Sequence, residues 1–121
     1  MKKILIVDDK SSISMLLVQF LKERFKLETK SDGLEALAWL QQGNIPDLII
    51  TDLQMPNMDG IGLINSLKES GYFKHIPIIV LSSKDSSADR IQCLKLGAED
   101  YMIKPFNPEE LQLRIDKILN R

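Results

Sequence analysis

Five short apolar runs, at residues 3–7, 27–30, 48–51, 78–81 and 100–103, alternate along the chain with stretches of helical period. Most are continuous or β-branched apolar runs of four or five residues, as in strands covered on both faces; the second is short and half polar. Between the first two lie Ile13, Leu16, Leu17, Phe20, Leu21 and Phe25, whose spacing draws one apolar helical stripe. A second helix is predicted from about Gly33 with Leu34, Leu37 and Leu40, and a third after Asp59-Gly60 with Ile61, Ile64 and Leu67. A fourth is predicted over about residues 86–96, stopping at Gly97, a residue suited to the left-handed position after a helix. The last follows Asn107-Pro108-Glu109-Glu110, which reads as N-cap, proline at the first turn and acidic helix start, with Leu111, Ile115, Ile118 and Leu119 apolar. Five βα units in succession predict one doubly wound α/β domain over residues 1–121, a mostly parallel sheet with helices on both faces.

Composition excludes several other classes. A chain of 121 residues, 44% hydrophobic and 27% charged, has the make-up of an ordinary globular domain. A net charge of −1 gives no electrostatic pull toward nucleic acid or an anionic membrane. Cys93 is the single cysteine, so no internal disulfide forms. No apolar run approaches the length of a bilayer span, and the four apolar residues after Met1-Lys2-Lys3 are too few for a signal peptide. The expected location is the cytoplasm.

In an open α/β sheet the functional crevice lies outside the carboxyl ends of the strands. The residues there are Asp8-Asp9, Asp52, Ser82-Ser83 and Lys104-Pro105. A single acid after a strand often does no more than cap a helix, and Ser82 alone could be a turn residue. A doublet after a fully apolar strand exceeds what one cap needs, and Lys104 would restore charge balance among three acids. Neighbouring carboxylates repel, and a hard divalent cation such as magnesium offsets that while keeping positions open for phosphate oxygens. A carboxylate can also act as a nucleophile and form an aspartyl phosphate. Charge on a transferring phosphoryl group would be met by the cation, the Lys104 ammonium and the Ser82 hydroxyl.

These residues resemble the response-regulator receiver family of two-component signalling. The matching motifs are Ile-Leu-Ile-Val-Asp8-Asp9, Asp52-Leu-Gln-Met-Pro56-Asn-Met-Asp59-Gly60, Leu-Ser82-Ser, Gly97-Ala-Glu-Asp-Tyr101 and Lys104-Pro105-Phe106, in family order and spacing over nearly the whole chain. The resemblance implies a flavodoxin-like five-stranded sheet of order 2-1-3-4-5 with five helices. It implies that Asp52 is the phosphoacceptor, and that Asp9, Asp52 and the backbone carbonyl of Gln54 bind Mg2+ directly, with Asp8 acting mainly through water. Ser82 and Lys104 would assist the transfer, Ser82 and Tyr101 would form the switch, and the Lys104-Pro105 bond would be cis. The donor implied is a phosphohistidine on a sensor histidine kinase or phosphotransfer protein, with small phosphodonors as substitutes. The chain would then be no enzyme in the ordinary sense, but a phosphoacceptor assisting its own phosphorylation and dephosphorylation. His75 is isolated in a polar segment and reads as a surface residue.

Several positions depart from the commoner pattern. Ser83 replaces a very small residue, and Lys10, Gln54 and Lys84 flank the path of the attacking water, where they are expected to set the lifetime of the phosphorylated state. Arg90, Asp100, Glu110 and Arg114 look like the charged face through which receivers of winged-helix transcription factors dimerise, with Arg90–Glu110 and Asp100–Arg114 as cross-subunit pairs. Ser87, Gln112 and Asp116 depart from that subclass, so a stand-alone receiver is the alternative; the end of the chain directly after the last helix fits either that or a domain of a longer regulator. Readings from other classes fit less well. A hydrolase with an aspartate nucleophile needs Asp-x-Asp after the first strand, and a flavin protein needs a Ser/Thr/Gly-rich phosphate loop there. A degenerate receiver that binds partners without phosphorylation would lack part of the acid, hydroxyl and lysine set.

Overall fold

The computed structural model describes residues 1–83 and 87–121. Lys84, and the start expected at Ser86 for the fourth helix, lie outside the described residues. The elements are β1 (Lys3–Val7), α1 (Ser11–Leu21), β2 (Lys26–Lys30), α2 (Gly33–Gln41), β3 (Leu48–Thr51), α3 (Gly60–Lys68), β4 (Ile78–Ser82), α4 (Ser87–Leu96), β5 (Asp100–Ile103) and α5 (Pro108–Leu119). All four strand pairings are parallel, and the order across the sheet is β2-β1-β3-β4-β5.

The continuous apolar strands are explained by two cores, one on each face. Successive side chains of a strand point to opposite faces. Leu5, Val7, Ile49, Ile78, Val80 and Tyr101 face one core, which Ala36, Leu40, Leu63, Ile64, Leu67 and Cys93 complete from α2, α3 and α4. Ile4, Ile6, Leu48, Ile50, Ile79, Leu81 and Met102 face the other, closed by Leu17 and Leu21 of α1 and Leu111 and Ile115 of α5. Strand β2 can be half polar because it lies at the sheet edge, where none of its residues is fully buried.

Element ends differ from the sequence expectation by single residues, each through a specific backbone bond. Strand β2 starts at Lys26, whose N–H donates to the Lys2 carbonyl at 2.9 Å and which lies opposite Lys3. Strand β4 reaches Ser82, opposite Ile103. The expected helical stripes are also narrower than drawn. In α1 the buried residues are Leu17 and Leu21, whereas Leu16 is exposed because it lies about 100° round the helix from Leu17. Phe25 is buried beyond the helix end. Helix α2 packs through Gly33, Ala36 and Leu40, which leaves Leu34 outside.

Among the described residues, three helix starts carry their caps in the side chains. Asp32 accepts from the Glu35 amide, Asp59 from the Gly62 amide, and Asn107 from the Glu109 and Glu110 amides with Pro108 in the first turn. Gly97 follows α4 with φ +114°. Among the described residues no helix is long and apolar enough to cross a membrane.

Neighbouring positions of α5 provide a test of the packing. Ile115 is fully buried and Leu113 is 65% exposed. Ile115→Ala is expected to cost about 2–5 kcal/mol in urea unfolding, and Leu113→Ala less than about 0.5 kcal/mol.

Candidate functional site

The parallel register brings the ends of β1, β3, β4 and β5 to one edge, and backbone bonds extend the ladders one residue past the strands. The Asp52 N–H donates to the Val7 carbonyl at 2.9 Å, the Asp8 N–H to the Lys30 carbonyl at 3.0 Å, and the Lys104 N–H to the Ser82 carbonyl at 2.8 Å. Each of these residues therefore leaves the sheet at a fixed point.

Asp8, Asp9 and Asp52 place one carboxylate oxygen each within 4.8 Å of the others. Asp8 and Asp52 are buried and Asp9 is exposed. The Lys104 ammonium lies between the two buried acids, 2.9 Å from Asp8 Oδ2 and 3.4 Å from Asp52 Oδ2. The remaining oxygens are held by main chain: Asp8 Oδ1 accepts from the Lys10 amide at 2.9 Å and Asp52 Oδ1 from the Leu53 amide at 2.7 Å. Asp8 is thus committed on both oxygens. Asp52 Oδ2 has its cation at a looser distance.

This donor set suits a hard divalent cation. Three carboxylates against one ammonium leave formal negative charge for an ion to neutralise, and oxygen ligands with one exposed carboxylate match magnesium, which keeps several of its waters. Gln54 lies two residues beyond Asp52 and is exposed.

The segment after Asp52 is fixed by close packing. The Gly60 N–H donates to the Leu53 carbonyl at 2.8 Å. A Cβ on Gly60 would lie 2.3 Å from the Asp52 carbonyl oxygen and 2.8 Å from Leu53 Cα, both backbone atoms with no freedom to retreat. The Asp59-Gly60 pair therefore combines a helix cap with the one residue type that lets α3 approach the acid loop.

Ser82 and Tyr101 are both buried, on adjacent strands. Burial pushes the Tyr101 phenol above its ordinary range, against the opposing effect of a hydrogen bond with Ser82. The Arg90 guanidinium sits over the Tyr101 ring, 5.8 Å from its centroid. The tyrosine is therefore in an inward position. The Lys104–Pro105 peptide bond is cis.

Charged residues of β5 and α5 pair within the chain. Arg114 bonds both Asp100 and Glu110, and these two hydrogen bonds hold its guanidinium pKa above the ordinary value. Two unusual residues of α5 have structural partners on α1 or just after it: Gln112 Nε2 donates to the Phe20 carbonyl at 3.2 Å, and Asp116 Oδ1 accepts from Arg24 at 2.6 Å. Nothing in the sequence could link residues 92 positions apart. Lys10 and Ser83 are exposed, as is His75. Cys93 is fully buried, and burial together with Asp89 raises its thiol pKa.

Sequence reasoning missed one buried acid. Asp32 is 4% exposed and belongs to the pattern Asp32-Gly-Leu-Glu35, a legible capping signal, but its second partner, Asn57, is 25 residues away.

Residues 4–116 match the sequence model of the response regulator receiver domain family. The chain is 43% identical, over 99% of its length, to the alkaline phosphatase synthesis transcriptional regulatory protein PhoP of Bacillus subtilis, and covers 49% of that protein. It is 42% identical over 99% of its length to a probable transcriptional regulator, ycf27, of Guillardia theta, and covers 46% of it. The chain thus spans about half the length of these curated relatives. Among solved structures, a putative response regulator from Chloroflexus aurantiacus superposes with a TM-score of 0.93 at 32% identity, covering 99% of this chain and 98% of that one. The chemotaxis response regulator CheY4 of Vibrio cholerae superposes with a TM-score of 0.90 at 34% identity, covering 98% and 99%.

Gly60→Ala tests the close approach beneath the acids. Overpacking against backbone is expected to cost about 1–3 kcal/mol or more in urea unfolding and to shift the amide resonances of Asp52 and Leu53.

Proposed function

The chain belongs to the response regulator receiver domain family, and from that membership we propose that it is a phosphorylation-dependent switch with Asp52 as the phosphoacceptor. The supporting observation is the Lys104 ammonium set between Asp8 and Asp52 within a cluster of three acids. The donor is a phosphohistidine of a sensor histidine kinase or phosphotransfer protein. Asp52 Oδ2 attacks the phosphorus as the phosphorus–nitrogen bond breaks; the bonding pair stays on that ring nitrogen, and a proton already on the donor's other ring nitrogen lets the histidine leave as a neutral imidazole.

A magnesium ion held by Asp9, Asp52 and the Gln54 carbonyl, with Asp8 acting through water, would neutralise charge on the transferring group. The chain's own residues do the rest. The Leu53 amide holds Asp52 Oδ1, which leaves Oδ2, 3.4 Å from the Lys104 ammonium, as the attacking oxygen. Lys104, already 3.4 Å from that oxygen, meets one phosphoryl oxygen, and Ser82 turns toward another. The adduct adds about −1.5 to −2 charges to the crevice, which supplies the electrostatic drive for both movements. Departure of Ser82 removes the hydroxyl partner of Tyr101 and so biases Tyr101, β5 and the neighbouring faces of α4 and α5. Hydrolysis of the adduct is assisted by the same groups, with Lys10 and Gln54 at the rim setting its rate. The location proposed is the cytoplasm, where the kinase modules that carry phosphohistidine act.

For output, the relatives of twice the length are named as transcriptional regulators, which favours a face that pairs two receivers. Arg90, Asp100, Glu110 and Arg114 are the residues proposed for it. Arg114 would exchange its partner Asp100 for that of the second copy, one ion pair replacing another of the same kind.

Incubation with acetyl phosphate and magnesium, read by intact mass, is expected to add one phosphoryl group to the wild type and none to Asp52→Asn. Labelling retained in the variant would remove Asp52 from the mechanism. Sizing by light scattering with and without beryllofluoride is expected to show a dimer only with the mimic. A monomer in both states would rule out the paired face and leave the phosphoacceptor assignment intact.

A further inference from the structure

The loop from Leu53 to Asp59 follows Asp52 and includes Gln54, and it is fastened to an element that carries none of the site residues. Asp32, buried at the start of α2, uses its two oxygens for two tasks. Oδ1 accepts from the Glu35 amide at 2.9 Å and caps the helix, and Oδ2 accepts from Asn57 Nδ2 at 2.8 Å. These two hydrogen bonds keep the carboxyl below the usual range of an aspartate. One residue further on, the Gly33 N–H donates to the Met58 carbonyl at 3.0 Å. A Cβ on Gly33 would lie 2.7 Å from Met58 Cγ and 2.9 Å from the Met58 carbonyl oxygen, so the two segments are in close contact. Asn57 itself has φ +67°, a left-handed backbone that asparagine tolerates better than most residues but that still needs outside support.

The loop is therefore anchored at three places: by Asp52 and Leu53 at the end of β3, by Gly60 against the Asp52 carbonyl, and by Asn57 and Met58 against the start of α2. Gln54 lies between the first and the third. A main-chain carbonyl has no rotamer with which to adjust, so its position is whatever the anchors impose, and loss of a group that orients a metal ligand typically weakens binding about 10–100-fold.

We propose that Asp32 is a positioning residue for the divalent-cation site: through Asn57 it holds the loop that presents the Gln54 carbonyl to an ion shared with Asp9 and Asp52. This rests on the reading of Gln54 as a carbonyl ligand, and it adds α2 to the elements on which ion binding depends.

The two tasks of Asp32 can be separated. Asp32→Ser keeps a good helix cap but loses the second oxygen, and Asn57→Gly keeps the left-handed backbone but loses the amide. Glu35→Ala removes the hydrogen bond that the Ser31 amide donates to the Glu35 carboxylate, weakening the helix start without touching Asn57. Magnesium titration by calorimetry on the unphosphorylated chain, with amide hydrogen exchange at residues 53–58 of the metal-free chain, reads the effect. Asp32→Ser and Asn57→Gly are each expected to weaken magnesium binding about tenfold, the lower end for groups that orient metal ligands, and to speed exchange in the loop. The double variant is expected to be no worse than either single one, because both delete the same bond. Glu35→Ala is expected to bind magnesium as the wild type does. Wild-type affinity and exchange in Asp32→Ser and Asn57→Gly would overturn the proposal, as would equal weakening by Glu35→Ala. If the wild type bound no magnesium, or if Asp9→Asn bound it equally well, the cation-site reading itself would fall, and this inference with it.

Discussion

The arrangement depends first on one ammonium held between two buried carboxylates. Asp8 and Asp52 leave adjacent strands of a parallel sheet, so their side chains emerge side by side in a region nearly closed to water. Burying either charge alone would be costly, and burying both would add their repulsion. Lys104 compensates both, because β5 ends at the same edge as β1 and β3 and its long side chain reaches across β4 to them. A lysine suits this place better than an arginine would, since a compact ammonium can move between oxygens as the charge beneath it changes, whereas a planar fork favours one bidentate geometry. The same balance leaves the pocket short of positive charge, which suits it to a divalent cation.

Much of this was legible in the sequence because both the sheet and the site are read from strand ends. Continuous apolar strands between amphipathic helices fix a two-sided parallel sheet, and the residues that follow such strands must converge. Asp8, Asp9, Asp52, Ser82 and Lys104 could be picked out on that ground alone. What could not be read were contacts between distant segments that share no pattern. The Asp32–Asn57 bond joins a helix cap to a turn, and each half is explained locally without the other. Leu16 and Leu34 looked like core residues because periodicity marks a face without giving its width, and the width is set by how closely each helix lies on the sheet.

The departures in α5 follow the same logic. Gln112 and Asp116 seem out of place when α5 is viewed only as an interface with another molecule. Within the chain they fasten α5 to α1, through the Phe20 carbonyl and Arg24. Arg24 also lies over the ring of the buried Phe25, so this corner combines an ion pair with apolar cover.

That fastening bears on where a conformational change can go. Helix α5 buries Leu111 and Ile115, is tied to α1 by Gln112 and Asp116, and is tied to β5 by Arg114. Helix α4 has Cys93 as its single buried residue among those described, and it exposes Ile91 and Leu94. Local opening is cheapest where apolar burial is least. Arg90, over the Tyr101 ring, belongs to α4. A change at Ser82 that reaches Tyr101 therefore meets a weakly held helix on one side and a strongly held one on the other. On the proposed switch, the displacement driven from Ser82 is expected to fall mainly on α4, with the more firmly packed α5 as the wall against which that helix moves.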